Sequence, residues 1–283
     1  MFDSRAPALA GTRAPRPWCP QPRRYCHPRR GFGSAVDFYE TTGRIVAKIY
    51  SIGVYMDTSK TMDVIAVVAE KGGVGKTTLS LSLAVAAVRA GRKVAIIDTD
   101  PQATASKWTD RREAEFPWVV PTHAARIGVA LDQARQQGID FVVIDTPPHS
   151  GADATEAARR ADFVLVPVEP HLFALETVPK LGDLLKLAGN TPALFVINKA
   201  ATQGKEAQHA ASFIREQGFV VAPIVLHTRA AHRHAGNVGQ AAPEFEPDGK
   251  AAEEVLGLYT YTMQLLAEWR KTYGQDKSAR ARA

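Results

Sequence analysis

Cysteine is scarce in this chain, and apolar runs of membrane length are missing from it. The 283 residues include two cysteines, Cys19 and Cys26, both near the N-terminus. The rest of the sequence therefore offers no disulfide and no thiolate cluster for an iron–sulfur centre or a cysteine-bound zinc. No apolar run approaches the roughly 18 residues of a membrane span, and no signal peptide with an apolar core is visible. These absences fit a reducing cytoplasm.

Excess positive charge is also missing from most of the chain, although the formal net charge is +6. Residues 1–61 hold ten Lys/Arg and four Asp/Glu, while residues 62–283 hold 25 of each. The excess therefore lies entirely in the N-terminal segment. If the body of the protein binds DNA, we expect a local basic patch rather than a general positive field.

The N-terminal segment, residues 1–61, begins with an Arg/Pro-rich stretch that lacks the periodicity of a helix or a strand. We expect it to be disordered or to be an upstream extension. Translation is then expected to begin at Met56 or Met62, because the first strand starts directly after Met62. A basic DNA-binding arm and an Arg-rich transit peptide are the alternatives. The prolines disfavour the transit peptide, because they interrupt an amphipathic helix.

The body alternates short β-rich apolar runs with longer helical stretches, which is typical of βαβ units and a parallel sheet. Buried strands are predicted at 63–69, 93–98, 140–145, 162–168, 193–198 and 220–226. Helices are predicted at 78–90, 126–137, 172–188, 206–218 and 251–269. We therefore expect an α/β domain over residues 62–270, in three layers, with a doubly wound, mostly parallel sheet and helices on both faces. A flexible basic tail, residues 271–283, is expected to follow it.

A glycine-rich loop follows the first predicted strand and opens directly into a helix. Its sequence is EKGGVGKTT, residues 70–78. The backbone N–H groups of such a loop, together with the positive end of the helix, bind phosphate oxygens. Lys76 is expected to reach the β- and γ-phosphates, and the Thr77 hydroxyl to hold Mg²⁺. The predicted nucleotide-binding residues are Gly72, Gly73, Val74, Gly75, Lys76, Thr77 and Thr78.

The loop departs from the general phosphate-loop pattern, since Glu70 stands where the first glycine is expected, and it carries a second lysine, Lys71. KGGVGKT resembles the deviant Walker motif of the ParA and MinD ATPases. In that family the extra lysine crosses a dimer interface to contact the partner's nucleotide. The resemblance covers nearly all of residues 62–270 and implies an ATPase that uses ATP and Mg²⁺, with Lys71 and Lys76 in catalytic roles. Without the resemblance, Lys71 is an ordinary solvated lysine.

Two aspartates end the second predicted strand, at the carboxyl edge where open α/β sheets bind ligands. Carboxylates two residues apart on an extended chain point the same way, so Asp98 and Asp100 are expected to face one pocket. The phrase DTDPQ resembles the second acidic motif of the ParA family. The resemblance implies that Asp100 orients the attacking water and that Asp98 supports the metal shell. An acidic strand end that caps the following segment is the alternative.

The third predicted strand ends in Asp145 after four apolar residues, which is the Walker B arrangement. Asp145 is expected to bind Mg²⁺ through water. The segment 146–151 is expected to sense the γ-phosphate as a switch. His149 is interpreted as a mobile loop residue rather than as a general base.

Two further functions rest on the family. Asn198, at the end of the fifth predicted strand, lies where the family places an asparagine that contacts adenine; a strand-capping asparagine would look the same. The block after the sixth predicted strand resembles the region of small partition ATPases that binds DNA without sequence preference. The DNA-binding candidates are Arg229, Arg233 and Lys250, with His232, Arg270 and Lys271 as possible additions, and ordinary solvated surface is the alternative.

The resemblance implies a nucleoid-associated protein of the bacterial cytoplasm, acting in plasmid or chromosome partitioning. Its expected partners are a second copy bound in an ATP-dependent dimer, non-specific DNA, and a centromere-binding activator protein. The chain resembles the short partition type, without an N-terminal helix-turn-helix. A MinD-like membrane-associated ATPase is a rival, disfavoured because the segment after Tyr273 offers no amphipathic helix. An ATP-dependent biosynthetic ligase of the same superfamily is another.

Overall fold

The sheet is all-parallel and holds six strands among the residues that the computed structural model describes, 61–148 and 151–273. Their order across the sheet is β3-β2-β4-β1-β5-β6. Every neighbouring pair is parallel, as predicted. The strands are β1 Asp63–Val67, β2 Val94–Asp98, β3 Trp118–Pro121, β4 Phe141–Asp145, β5 Phe163–Val168 and β6 Ala193–Ile197.

Helices connect the strands and cover both faces of the sheet. They are α1 Lys76–Arg89, α2 Thr104–Thr109, α3 Ile127–Gln136, α4 Gly151–Arg160, α5 Leu172–Leu175, α6 Val178–Leu187, α7 Glu206–Glu216, α8 Ala230–Asn237, α9 Ala242–Phe245 and α10 Lys250–Tyr273. A 3-10 turn, Ala124–Arg126, precedes α3. None of these helices in the described part of the chain is long and apolar enough to cross a membrane.

The two faces of the sheet build two apolar layers. On one face β1 and β5 pack with α3, α4, α6 and α7, through side chains such as Ile127, Ala157 and Leu181. On the other face α1, α2 and α10 pack through side chains such as Leu83 and Leu258. Strands buried on both faces read as continuous Val/Ile/Leu runs, which is why the sequence predicts them so directly. The predicted three-layer α/β architecture is confirmed.

The predicted strand at 220–226 is wrong. The segment runs beside β6 and pairs with it only at an isolated bridge between Phe195 and Val221. Ala222 and Leu226 donate backbone hydrogen bonds to the carbonyls of Phe195 and Ile197. Pro223, between them, has no N–H to continue a ladder. The sixth strand is instead β3, which is short and half-buried and was not predicted.

Several helices also differ from their predicted bounds. The predicted helix at 172–188 is two helices, because Pro179, in the first turn of α6, has no N–H with which to continue the hydrogen bonding of α5. The helix predicted to start at 78 begins at Lys76, so Lys76 and Thr77 lie in its first turn. α2, α4, α8 and α9 were not predicted, because none of them has a long apolar stripe.

A cluster of ion pairs closes the amino edge of the sheet. Arg92 binds Asp63 at 2.8 Å and Asp140 at 2.9 Å. Arg270, a suggested addition to the DNA surface, binds Asp63 and also Asp162 at 3.2 Å. Its guanidinium therefore fastens α10 to the sheet, and the ion pairs argue against the suggested DNA role.

Leu165 tests the central layer. It is fully buried in β5, so Leu165→Ala should lower the free energy of unfolding by about 2 to 5 kcal/mol. Urea unfolding followed by circular dichroism measures this. Leu187→Ala is the matched control: its side chain is 72% exposed, and the change should stay within about 0.5 kcal/mol. Equal effects of the two substitutions would contradict this packing.

Candidate nucleotide site

The phosphate loop joins β1 to α1 through left-handed glycines. Gly73 has φ 79° and Gly75 has φ 90°, a region that side chains with a Cβ rarely adopt. A Cβ on Gly75 would also lie 2.7 Å from the amide nitrogen of Asn198. Because α1 begins directly after Gly75, its free N–H groups and positive end face the loop. This is the geometry that holds phosphate oxygens.

Lys76 lies buried inside this loop. Its Nζ donates to the carbonyl of Lys71 at 3.2 Å. Burial lowers the pKa of Lys76, and the carboxylates of Asp145, Asp100 and Glu70 oppose that change. The ammonium is therefore held among acidic groups and a loop carbonyl, where an anionic phosphate is a favourable additional partner.

Asp98 and Asp145 end neighbouring strands at the same level. They are direct partners in the β2–β4 register, and Asp145 is also level with Val67, the last residue of β1. Asp145 is fully buried, and the Ser80 hydroxyl of α1 donates to its Oδ1 at 2.9 Å. Its Oδ2 has no hydrogen-bond partner among the described residues.

That free oxygen bears on the predicted metal. A buried acceptor without a donor is costly unless a cation or water completes it. Oxygen atoms are the ligands that Mg²⁺ prefers, and it usually keeps several waters. Asp145, the Thr77 hydroxyl and Asp98 thus fit a magnesium ion carried by a nucleotide.

Burial sets the protonation of these carboxyls. The pKa of Asp145 is raised to about 7, chiefly by burial and to a lesser extent by the Asp98 carboxylate, while the Thr77 and Ser80 hydroxyls and the Lys76 ammonium oppose the rise. Burial also raises the pKa of Asp98, opposed by N–H donors from Asp100 and Ser106. A cation at this site would favour the charged form of both groups.

The expectation that Asp98 and Asp100 face one pocket stays a prediction. The chain turns after Asp98, so the alternation of an extended strand stops there. The Asp98 carboxylate is buried and accepts from the Asp100 N–H at 3.1 Å. Asp100 is half-buried and accepts from the Gln102 N–H at 2.8 Å. Both carboxylates therefore accept hydrogen bonds from the turn after β2, as the alternative given above expects, and Asp100 also lies close enough to raise the pKa of Lys76.

The end of β6 holds the phosphate loop from the other side. Asn198 donates from Nδ2 to the carbonyl of Val74 at 2.7 Å, so its adenine contact stays a prediction. Lys199, which sequence reasoning missed, donates to the carbonyl of Gly73 and pairs with Glu169 at 3.2 Å. The signal in the sequence was its place directly after Asn198, at the end of the fifth predicted strand. In the structure, Lys199 takes a left-handed φ of 53°.

The segment after Asp100 is fastened to the region of the DNA candidates. Trp108 donates from its indole to the carbonyl of Gln240 at 2.9 Å. Arg112 donates to the carbonyl of Gly239 at 2.9 Å and pairs with Glu244 at 2.6 Å. Its guanidinium also lies over the Trp108 ring.

The side chains of the three DNA-binding candidates differ in their exposure and in their ion pairing. Arg229 pairs with Glu254, its Nε lying 3.0 Å from the carboxylate, and its side chain is 21% exposed. Its charge is therefore already neutralised. Arg233, on α8, and Lys250, the first residue of α10, are exposed. His232, suggested beside them, is half-buried, and burial lowers its pKa.

His149 lies outside the described residues, as do Cys19, Cys26 and the whole N-terminal segment up to residue 60.

Comparison with known families decides the class. The family model CbiA, the CobQ/CobB/MinD/ParA nucleotide binding domain, matches residues 65–240. The chain belongs to the MinD/ParA family. It is a nucleotide-binding ATPase of that family, and its resemblance to ParA is confirmed.

This MinD/ParA-family ATPase aligns with curated relatives over almost their whole length. The maintenance of carboxysome distribution protein A of Gloeobacter kilaueensis is 30% identical over 213 residues, which is 74% of this chain and 96% of the relative. The chromosome-partitioning ATPase Soj of Thermus thermophilus is 28% identical, over 68% of this chain and 94% of the relative.

Solved structures share the fold of this MinD/ParA-family ATPase. The cell division ATPase MinD of Pyrococcus furiosus is 23% identical with a TM-score of 0.59, over 72% of this chain and 100% of that one. The septum site-determining protein MinD of Pyrococcus horikoshii, solved with Mg-ADP, is 21% identical with a TM-score of 0.57, over 70% and 95%.

Asp145→Asn tests the raised pKa of the buried Asp145 carboxyl, in protein free of nucleotide and Mg²⁺. The folded pKa of about 7 exceeds the ordinary 3.8, so the native chain retains a proton that the unfolded chain releases between those values. The resulting stability is present below about pH 4 and is lost as pH rises through about 7. From pH 5 to 8, wild type should lose on the order of 2 kcal/mol through this group.

Urea unfolding at pH 5, 6.5 and 8 measures that loss. Asp145→Asn should flatten the pH dependence, and Asp98, whose pKa is also raised, should leave a slope of the same sign. The same pH dependence in both proteins would show that Asp145 is ionised throughout.

Proposed function

We propose that this chain is an ATP-driven dimerisation switch that hydrolyses ATP to ADP and phosphate and acts in plasmid or chromosome partitioning. The observation that carries the proposal is the arrangement around Lys76. Lys76 lies where the glycine loop meets the N-terminus of α1. Asp98 and Asp145 end the adjacent strands β2 and β4, and Oδ2 of Asp145 has no hydrogen-bond partner among the described residues. Cytoplasmic action beside the nucleoid is part of the proposal.

Each group around the loop has a separate task in this proposal. The loop N–H groups and Lys76 bind the phosphates of ATP, with Gly72, Gly73, Val74, Gly75 and Thr78 supplying the loop. Thr77, Asp98 and Asp145 hold the magnesium shell. The ion, when bound, neutralises phosphate charge. Asp100 orients the attacking water, its turn fixed by the bonds to Gln102 and Asp98.

Lys71 makes the switch depend on two copies. Its backbone carbonyl accepts a hydrogen bond from Lys76, while its side chain is half-buried. A cation that crosses to the γ-phosphate of a second copy links assembly to ATP, because the attraction exists only when nucleotide is present. Hydrolysis then releases the partner.

The cargo follows from the relatives only in outline. One is named for chromosome partitioning and another for carboxysome distribution. We propose DNA segregation, with a centromere-binding protein as activator. Positioning of a protein cluster is the second candidate, favoured by the 30% identity to the carboxysome distribution protein. The centromere-binding activator belongs to the first candidate, so a small centromere-binding protein encoded beside this gene would favour segregation.

Asp100→Ala tests the hydrolytic assignment. If Asp100 orients water, turnover of ATP should fall about a hundredfold or more while nucleotide binding persists. The ATP-bound dimer should then accumulate. Phosphate release and size-exclusion chromatography with Mg-ATP measure both effects.

Lys76→Ala is the control for that experiment. It should lose nucleotide binding, since it removes the cation from inside the loop, and should therefore stay monomeric. Asp100→Ala protein that remains monomeric with ATP, or turns over like wild type, would contradict the role of Asp100.

DNA binding is proposed to use Arg233 and Lys250. Both side chains are exposed. Arg233 lies on α8, and Lys250 is the first residue of the neighbouring helix α10. Arg229 serves this surface indirectly: through Glu254 it ties the start of α8 to α10. Contacts of this kind bind phosphates without sequence preference and weaken steeply with salt.

Arg233→Ala and Lys250→Ala test the DNA surface. Each should weaken binding of the ATP-bound protein to duplexes of unrelated sequence and lower the salt slope by about one. Fluorescence anisotropy over a salt series measures both. Lys186→Ala removes an equal charge from an exposed site on α6 and should have no effect. Equal losses from all three variants would reduce the effect to net charge.

A further inference from the structure

Two neighbouring side chains after β6 hold the phosphate loop by its carbonyls. Asn198 donates from Nδ2 to the carbonyl of Val74 at 2.7 Å, and Lys199 donates from Nζ to the carbonyl of Gly73. The Lys199 stem passes Gly75, where an added Cβ would lie 3.7 Å from Lys199 Cε. Both the stem and the ammonium of Lys199 therefore lie against the loop, although 126 positions separate Lys199 from Gly73.

The backbone of Lys199 is held in a conformation that lysine rarely adopts. Its φ is 53°, in the left-handed region. The Thr228 hydroxyl donates to the Lys199 carbonyl at 3.1 Å, and the next residue, Ala200, donates its N–H to the Leu226 carbonyl at 3.1 Å. Glycine would adopt this φ without strain. Because strained residues cluster at functional sites, a lysine at this position points to a task for its side chain.

An ion pair directs the ammonium of Lys199. Glu169, directly after β5, pairs with it through Oε1 at 3.2 Å. The other carboxylate oxygen of Glu169 lies 3.1 Å from Nε2 of His171. Nδ1 of His171 in turn accepts from the N–H of Ala174 at 3.3 Å. The carboxylate that pairs with Lys199 is thus itself held in place.

The planar peptide converts these carbonyl contacts into an orientation of N–H groups. In a trans peptide the C=O and the N–H point in opposite directions. Because the Gly73 carbonyl is held toward Lys199, the N–H of Val74 points away from it. The contact from Asn198 does the same for the N–H of Gly75. Without such contacts a glycine-rich loop is free to turn its peptides over, since glycine accepts both signs of φ.

We propose that Lys199 is a positioning residue of the phosphate loop, which keeps the N–H of Val74 turned toward the phosphates of a bound nucleotide. The proposal rests on the proposed binding of ATP by this loop and adds a residue that acts through the loop without touching phosphate. Glu169 acts one step further away, by holding the Lys199 ammonium. The fold should not depend on this contact, because the Lys199 side chain is 46% exposed and such ion pairs contribute little stability.

Lys199→Gly tests the proposal in the full chain. The midpoint of urea unfolding without nucleotide should stay close to that of wild type, because glycine fits the left-handed backbone. The dissociation constant of a fluorescent ATP analogue with Mg²⁺ should rise about tenfold or more, the usual effect of losing a hydrogen bond from a charged donor. Lys199→Arg, which keeps a cationic donor, should restore most of the affinity. A fall in affinity matched by a fall in the unfolding midpoint would make Lys199 a structural residue and overturn the proposal.

Inorganic tripolyphosphate separates a contact with the loop from a contact with the base. It carries the phosphates of ATP without ribose or adenine, so its dissociation constant, measured by competition with the fluorescent analogue, reports on the loop alone. Lys199→Gly should weaken the binding of tripolyphosphate and of the analogue to the same degree. If the variant loses affinity for the analogue but binds tripolyphosphate like wild type, Lys199 contacts the nucleoside and the proposal is overturned.

Lys205→Ala is the matched control. It removes an equal charge from an exposed position in the same segment after β6, directly before α7. It should bind both ligands like wild type. An equal loss from Lys205→Ala would reduce the effect of Lys199 to general positive charge and refute its positioning role.

Lys76→Ala separates failure of this proposal from failure of the ATP-binding loop. If Lys76→Ala binds the analogue like wild type, the loop itself is not the phosphate site. If Lys76→Ala loses binding while Lys199→Gly binds normally, only the role of Lys199 is refuted.

Glu169→Gln tests the second step. It removes the charge that holds the Lys199 ammonium and should raise the dissociation constant of tripolyphosphate by a smaller factor than Lys199→Gly does. Added to Lys199→Gly, the same change should cause no further loss, because Glu169 acts through Lys199. Additive losses would show that Glu169 acts independently of Lys199 and would overturn its part in the proposal.

Discussion

The register of β4 between β1 and β2 is the constraint on which the site depends. Parallel strands bring their carboxyl ends to one edge, and this pairing sets Val67, Asp98 and Asp145 level with one another. β1 leads into the phosphate loop from the same level. A shift of one residue in either pairing would turn Asp145 to the opposite face. The apolar layers that fix the strand register therefore also fix the positions of the two aspartates and the phosphate loop.

Much of this arrangement could be predicted from the sequence. Asp145 and Asp98 each end a run of buried strand residues, and Lys76 follows a glycine loop in strand-to-helix context, so local pattern and site agree. The turn that holds Asp100 could not be predicted in the same way. The alternation rule fails once the chain turns, and the turn is made by hydrogen bonds from Asp100 and Ser106 to Asp98.

Long-range contacts explain the remaining differences. Arg229 and Arg233 look alike in sequence, but Glu254 lies 25 positions after Arg229 and pairs with it. Lys199 contacts Gly73 across 126 positions. Nothing in the local pattern around either residue shows such a partner. The segment at 220–226 has the composition of a strand, yet Pro223 limits its pairing with β6 to a bridge.

The orphaned oxygen of Asp145 has a consequence for the lifetime of the protein in a cell. A buried acceptor without a donor weakens the folded chain, and a ligand that completes it stabilises only that folded form. On the proposed assignment, the empty chain would open more often than the loaded one and would be cleaved faster by proteases. If Asp145 holds the magnesium shell as proposed, the same strand end would also tie the abundance of the protein to the supply of its nucleotide.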